Sequence, residues 1–195
     1  MEQEGIIKYQ CDWEQKQLLE YSAELKPLIS WRDLAFQKGY IGVGVQGIGF
    51  GNISVRVGGQ FLISASATGH LKKSSKRDFS LVKQWNFSEN WLSCVGEKKA
   101  SSESLSHAVV YEILPEVQMV LHIHHPELWM KYKNILPATP SGIAYGTPEM
   151  ALSISQLIKQ KQNKKSGVFL MKAHEDGLIA YAQTYEAMFK LYEDL

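Results

Sequence analysis

Six glycines fall between residues 39 and 51 (Gly39, Gly42, Gly44, Gly47, Gly49 and Gly51), and the pattern just after them decides the fold class. Such a run serves tight turns and close backbone approach, because glycine has no Cβ to obstruct either. It is not a P-loop, since it lacks the Gly-Lys-Ser/Thr ending. Nor is it a dinucleotide fingerprint, which opens a helix. The next residues, Ile53-Ser54-Val55-Arg56-Val57, alternate apolar and polar as a strand does. Gly58-Gly59 then signals a turn and Gln60 to Ser64 alternates again, so the spacing predicts a β-hairpin.

Further along, Phe79 to Val82 and Trp91 to Cys94 read as short strands. Residues 102–114 are helical in period, and Val117 to Ile123 is a buried strand. Pro126 to Lys133 is a helix opened by proline, and Thr147 caps another that runs to about Gln162. Val168 to Lys172 and Leu178 to Ala182 are strands, and Thr184 caps a last helix. Before the glycines, residues 13–26 have near-helical apolar spacing, and Pro27 opens a second helix to about Gln37. The sum is mixed α/β in one domain, 1–195, with N-terminal helices over 1–40 and a core over 44–195.

Composition narrows the function classes. Hydrophobic residues are 45% and charged residues 21%, which excludes a disordered chain. A net charge of +1 gives no reason to expect nucleic acid or an anionic membrane as partner. No apolar run is long enough to span a bilayer, and Met1-Glu2-Gln3-Glu4 lacks the layout of a signal peptide. Cys11 and Cys94 make neither a disulfide framework nor a sulfur-ligated zinc site. A cytoplasmic protein is expected.

The histidines carry the chemistry. His122 and His124 are two apart at the end of an apolar strand, so period-2 geometry points both rings to one side. That is a bidentate arrangement for a transition metal, and it is also what a solvated strand end looks like. His174 follows another apolar strand, and a third imidazole would leave the fourth position open, as catalytic zinc requires. Taken alone it reads as a turn histidine. Ser101-Ser102-Glu103 starts a helix, where free N–H groups and two hydroxyls suit a phosphate. The same residues also read as a cap, with Ser101 or Ser102 at N-cap and Glu103 in the first turn. Thr68-Gly69 ends a strand and Gly51-Asn52 begins one; together with the serines they offer several donors to one anion. Lys72, Lys73, Lys76 and Arg77 read as a solvated loop.

Gly51-Asn52-Ile53-Ser54, Thr68-Gly69, Ser101-Ser102-Glu103 and His122-Ile123-His124 together resemble the class II aldolase/adducin family. The resemblance runs from about Gly44 to Tyr192. It implies an α/β/α fold with a mostly antiparallel central sheet covered by helices. It implies one Zn2+ per chain, or another divalent transition metal, held by His122, His124 and His174. Glu103 is then the catalytic acid/base, and Gly51, Asn52, Thr68, Gly69, Ser101 and Ser102 bind the substrate phosphate. The implied reaction is retro-aldol cleavage of a ketose phosphate through a metal-stabilised enediolate. The implied assembly is a homotetramer with sites at subunit interfaces.

The chain departs from the family pattern in three places. The third histidine usually stands directly before a glycine; here the run is His174-Glu175-Asp176-Gly177, so Asp176 competes with His174 for that role. Ala100 replaces the proline before the two serines. The chain ends 21 residues after His174, with Tyr192 near the terminus, where the family's fuculose aldolase continues and lends a tyrosine to its neighbour. Within the family, epimerases carry aspartate where Glu103 stands, and methylthioribulose-1-phosphate dehydratases often carry alanine where Ser102 stands. The residues present therefore favour the aldolase, with the dehydratase next. The reading from another class is a non-enzymatic scaffold like the adducin head, which lacks the metal ligands.

Overall fold

Apolar residues alternate along the strands to give a sheet that is apolar on both faces, and helices cover each face. The chain's computed structural model describes residues 6–44, 47–160 and 165–195. Strand β1 (Gln10–Gln15) leads through a short 3-10 turn to helix α1 (Ser22–Gln37). Strands β2 (Gly42–Val43) and β3 (Gly49–Phe50) pair with each other outside the main sheet. The expected hairpin is β4 (Asn52–Val57) and β5 (Gln60–Ser64). Next come β6 (Phe79–Asn86), β7 (Trp91–Gly96), helix α2 (Ser104–Ile113) and β8 (Met119–His124). Helix α3 (Pro126–Tyr132), β9 (Ala138–Thr139) and helix α4 (Pro148–Lys159) come after these. The chain finishes with β10 (Gly167–Met171), β11 (Gly177–Ala182) and helix α5 (Tyr185–Glu193).

The nine-stranded sheet has the order β1-β7-β6-β5-β4-β8-β11-β10-β9. Its pairings are antiparallel except at the two edges, where β1 runs parallel to β7 and β9 parallel to β10. Along β8, Val120 joins the core beneath α2 and α4, with Leu105, Val109, Ile154 and Ile158. Leu121 and Ile123 point the other way, into the core beneath α1 and α5 with Leu25, Leu28, Met188 and Phe189. His122 and His124 therefore share the α2/α4 face with Val120. The same period puts Asn52 and Ser54 on that face, because Ile53 and Val55 are buried on the other.

The caps at Thr147 and Thr184 form as expected: their hydroxyls accept from Met150 N (3.3 Å) and Ala187 N (3.1 Å). The N-terminal region differs. Residues 10–15 are a strand and not the start of a helix, because the outer edge of β7 presents unpaired backbone groups that a strand satisfies. The helix begins at Ser22, and Pro27 lies inside it instead of opening a second one. Full burial of Leu25 and Leu28 on either side of Pro27 offsets the hydrogen bond it cannot donate. The helix from Thr147 stops at Lys159; Gln162 and the Met1-Glu2-Gln3-Glu4 segment lie outside the described residues.

Candidate active site

Antiparallel pairing sets the site. In the β4–β8 register Asn52 faces His122, and in the β8–β11 register Gly177 faces His124. The His122 and His124 rings are 4.9 Å apart, and His174, in the turn between β10 and β11, lies 5.2 and 4.6 Å from them. One ligand nitrogen from each ring falls within 4.8 Å of the others. His124 Nε2 and His174 Nε2 are 2.9 Å apart. Burial above all, then the neighbouring imidazoles, holds His122 well below the usual histidine range. Burial first, then His124 and Lys8, does the same to His174. Neutral imidazoles keep the lone pair that a metal needs. His122 Nε2 is buried and makes no hydrogen bond among the described residues. A nitrogen so placed is costly unless a partner from outside the chain, a cation or a water, completes it.

Gly177 makes room for the three rings. A Cβ there would lie 2.7 Å from His174 Cδ2, 2.8 Å from His174 O and 3.3 Å from His122 Nε2. The two residues that separate His174 from Gly177 are absorbed by a turn. His174 N donates to Met171 O (3.1 Å) and Gly177 N donates to His174 O (2.9 Å). Asp176 takes a left-handed φ of 65°. The ring thus returns over β8 despite the longer spacing. It is His174 that meets the pair; the Asp176 carbonyl instead accepts from His125 N (2.9 Å).

A cleft opens beside these rings. Asn52, His122 and His174 line it on one side, and Ser101, Ser102 and Glu103 on another. Gly51, Thr68 and Gly69 complete it, so the candidate residues other than His124 share one cleft. Gly51 has φ +74°, and a Cβ there would meet Tyr40 O at 2.5 Å, so this corner admits glycine alone. Helix α2 starts two residues later than the sequence implies. Its N-cap is Glu103 and not Ser101 or Ser102, and no side chain caps it. The Glu103 N–H reaches Ser101 Oγ at 3.4 Å, and the Ser101 carbonyl accepts from Ser104 N (3.0 Å). An uncapped helix start beside two hydroxyls offers N–H and O–H groups of the kind an anion can use. Glu103 is 3% exposed, and its Oε2 accepts from Ser106 Oγ at 2.6 Å.

Three contributors escape sequence reading. Arg32 of α1 is 1% exposed and donates to the carbonyls of Thr68 (2.6 Å), Gly69 (3.4 Å) and Leu71. In a trans peptide C=O and N–H point oppositely, so this clamp turns the adjoining N–H groups away from α1. Tyr145 lines the cleft with its ring 4.7 Å from that of His174. Lys8 Nζ sits 3.9 Å above the Tyr145 ring and donates to Tyr145 O (3.1 Å). Lys8 and Tyr145 belong to no spacing pattern; Arg32, four residues after Leu28 and seven after Leu25, falls on the apolar side of α1, and that is the one signal available. Tyr192, by contrast, is no part of the cleft. Its hydroxyl donates to Leu121 O and Leu178 O, and its ring packs in the core beneath α1 and α5.

His107 lies beneath the cleft on α2, with Nδ1 2.7 Å from Ser54 Oγ. Complete burial pushes its pKa down from 6.5 to about 3. As pH falls, the unfolded chain therefore takes up this proton first. The contribution to stability is whole above pH 6.5 and is lost as pH falls toward about 3. At pH 5 the loss is about 2 kcal/mol. Urea unfolding at pH 7.5 and pH 5 measures it, and the His107→Gln variant should lack that share of the pH dependence. An identical dependence in both proteins would assign it to other groups.

The same arrangement of elements recurs among known proteins. The model of the class II aldolase and adducin N-terminal domain matches residues 40–195. Among solved structures, L-fuculose-1-phosphate aldolase from Thermus thermophilus is 21% identical with a TM-score of 0.60, over 88% of this chain and 87% of that one. A sugar-phosphate aldolase from Thermotoga maritima is 16% identical at TM-score 0.61, over 88% and 91%. YgbL from Klebsiella pneumoniae, a candidate aldolase, epimerase or decarboxylase, is 18% identical at TM-score 0.65, over 87% and 83%. The three structures share the fold, and the family match spans most of the sequence. The chain belongs to the class II aldolase and adducin N-terminal domain family.

Proposed function

We propose that this chain is a metal-dependent lyase that cleaves a ketose phosphate by retro-aldol chemistry, with Zn2+ as the metal. One observation carries the reading. His122 and His174, buried and held neutral, converge with the half-buried His124 at the edge of a cleft that also holds Glu103 and a set of hydroxyl donors. The donor set fits the ion: imidazole without thiolate or carboxylate oxygen suits a borderline transition metal better than magnesium or calcium. The orphaned Nε2 of His122 fits it too. Three protein ligands leave a position for substrate. When bound, the ion supplies a Lewis acid to substrate oxygens beside the bond that breaks.

The rest falls to the chain. Glu103 moves the proton at the reacting carbon or hydroxyl, its carboxylate oriented by the Ser106 hydroxyl. The cradle of Gly51, Asn52, Thr68, Gly69, Ser101 and Ser102 holds the phosphate away from the metal and so fixes the sugar's orientation. The sugar-phosphate aldolases among the structural neighbours support a phosphorylated sugar as substrate. A homotetramer in the cytoplasm belongs to the same proposal. No helix among the described residues is long and apolar enough to cross a membrane.

A dehydratase or epimerase would use the same metal and glutamate, and YgbL is a candidate for more than one reaction. Product analysis separates these, because only the aldolase releases an aldehyde and a smaller ketone. The test is metal analysis of the purified chain beside a His122→Ala/His124→Ala variant, then incubation with a panel of ketose 1-phosphates. About one zinc per chain is expected, lost in the variant. No metal after zinc is offered would overturn the lyase and leave an adducin-like scaffold.

A further inference from the structure

Behind the histidine cluster lie three polar groups with no part in the chemistry above, those of Ser54, His107 and Tyr111. Ser54 Oγ lies 2.7 Å from His107 Nδ1 and 2.7 Å from the Tyr111 hydroxyl. The Tyr111 hydroxyl in turn donates to Gln118 O at 3.4 Å. At the other end, the Asn52 amide nitrogen lies 3.5 Å from His122 Nδ1. Asn52 and Ser54 are neighbours on one face of β4, and helix α2, which carries His107 and Tyr111, covers that face. His107 is also close enough to His122 to oppose its protonation. Three buried atoms here make no hydrogen bond among the described residues: Asn52 Oδ1, His107 Nε2 and His122 Nε2.

With His122 Nε2 kept for a metal, one arrangement of protons satisfies the other two atoms as well. A His122 that ligates through Nε2 must carry its proton on Nδ1. That N–H needs an acceptor, and a half-turn of the Asn52 amide about its last bond presents Oδ1 to it. The amide nitrogen then faces α2, where His107 Nε2 accepts from it, directly or through one water. The His107 proton is left on Nδ1 and is donated to Ser54 Oγ. Ser54 donates to Tyr111, and Tyr111 to the Gln118 carbonyl. Each donor meets an acceptor, and the chain runs in one direction from the metal site to the backbone.

We propose that Asn52, His107, Ser54 and Tyr111 form a one-directional hydrogen-bond chain that fixes His122 in its Nδ1–H tautomer. Asn52 and His107 are positioning residues. Both ends of the Asn52 amide are thereby committed inward, so Asn52 serves the phosphate through its backbone alone. The inference rests on reading the three histidines as a metal site.

Long-range 1H–15N correlation of the histidine rings tests it on the full chain, without metal and with one equivalent of zinc. The expected result is a proton on Nδ1 and none on Nε2 for His107 in both samples, and a proton on Nδ1 of His122. His107 carrying its proton on Nε2 overturns the chain. A zinc competition against a chelating dye gives a second reading. Asn52→Leu should weaken zinc by about 10–100-fold, the scale of a lost ligand-orienting partner. Asn52→Asp keeps an acceptor for His122 and should bind within a few fold of the unsubstituted chain. Unweakened binding by Asn52→Leu overturns the proposal; should that variant not fold, the tautomers of the unsubstituted protein decide. If the unsubstituted chain binds no zinc, the metal reading fails, and the tautomers in the metal-free protein still judge the chain by itself.

Discussion

Replacing Glu103 by Gln should lower turnover at least ~100-fold, with the zinc content and melting temperature of the unsubstituted chain retained. The substitution is isosteric, and the remaining side-chain oxygen can still accept from Ser106 Oγ, now 2.6 Å from Oε2. The start of α2 loses nothing, because the Glu103 side chain does not cap it. What disappears is the capacity to take up and return a proton inside a cleft where Glu103 is 3% exposed. Because the phosphate cradle and the imidazoles are untouched, KM should change little while kcat falls. Steady-state kinetics together with metal analysis checks both halves. Unchanged kcat would leave Glu103 as a helix-start residue. Zinc lost in step with rate would move it into the ligand set.

Much of this site is legible in the sequence because it depends on periods. Residues two apart on a strand share a face whatever the sheet does elsewhere, so His122 and His124 can be paired before any fold is known. The hairpin at Gly58-Gly59 and the threonine caps are similarly local, since their partners lie within a few residues. The meeting of His174 with that pair is not local. It depends on β11 lying between β8 and β10, and on a turn that takes up the extra Glu175 and Asp176. Strand β1 is misread because helical spacing in Trp13-Glu14-Gln15 competes with an open sheet edge supplied by the distant β7, and the edge wins. Tyr145 and the facing of Asn52 on His122 belong to the same class: they arise from packing and register, and no spacing announces them. Arg32 stands four residues after Leu28, on the buried side of α1, but the carbonyls it serves come from the segment after β5 and meet it only once α1 has docked there.

Arg32→Met should destabilise the fold by about 3–5 kcal/mol and raise KM for a phosphorylated substrate far more than it lowers kcat. The guanidinium is 1% exposed and serves the carbonyls of Thr68, Gly69 and Leu71. Its neighbour Asp33 ties down the same loop, accepting from Ser74 N and Ser74 Oγ, both at 2.9 Å. Methionine fills the volume but takes the guanidinium from all three carbonyls, leaving Thr68 O only the Leu71 N–H (3.1 Å), and strips Asp33 of its buried counter-charge. Lys73, 3.8 Å from Asp33 and largely exposed, is too well hydrated to replace it. The loop that carries Thr68 and Gly69 is then held from one side only, so the phosphate cradle loosens while the imidazoles and Glu103 keep their places. Arg32→Lys offers one ammonium where a planar fork served several carbonyls, and should recover part of the loss but not all of it. Urea unfolding and a KM-against-kcat comparison read the two effects separately. An Arg32→Met variant with unchanged stability would show that the loop carbonyls find water instead. A fall in kcat at constant KM would mean that the clamp acts on the reacting end of the substrate and not on its phosphate.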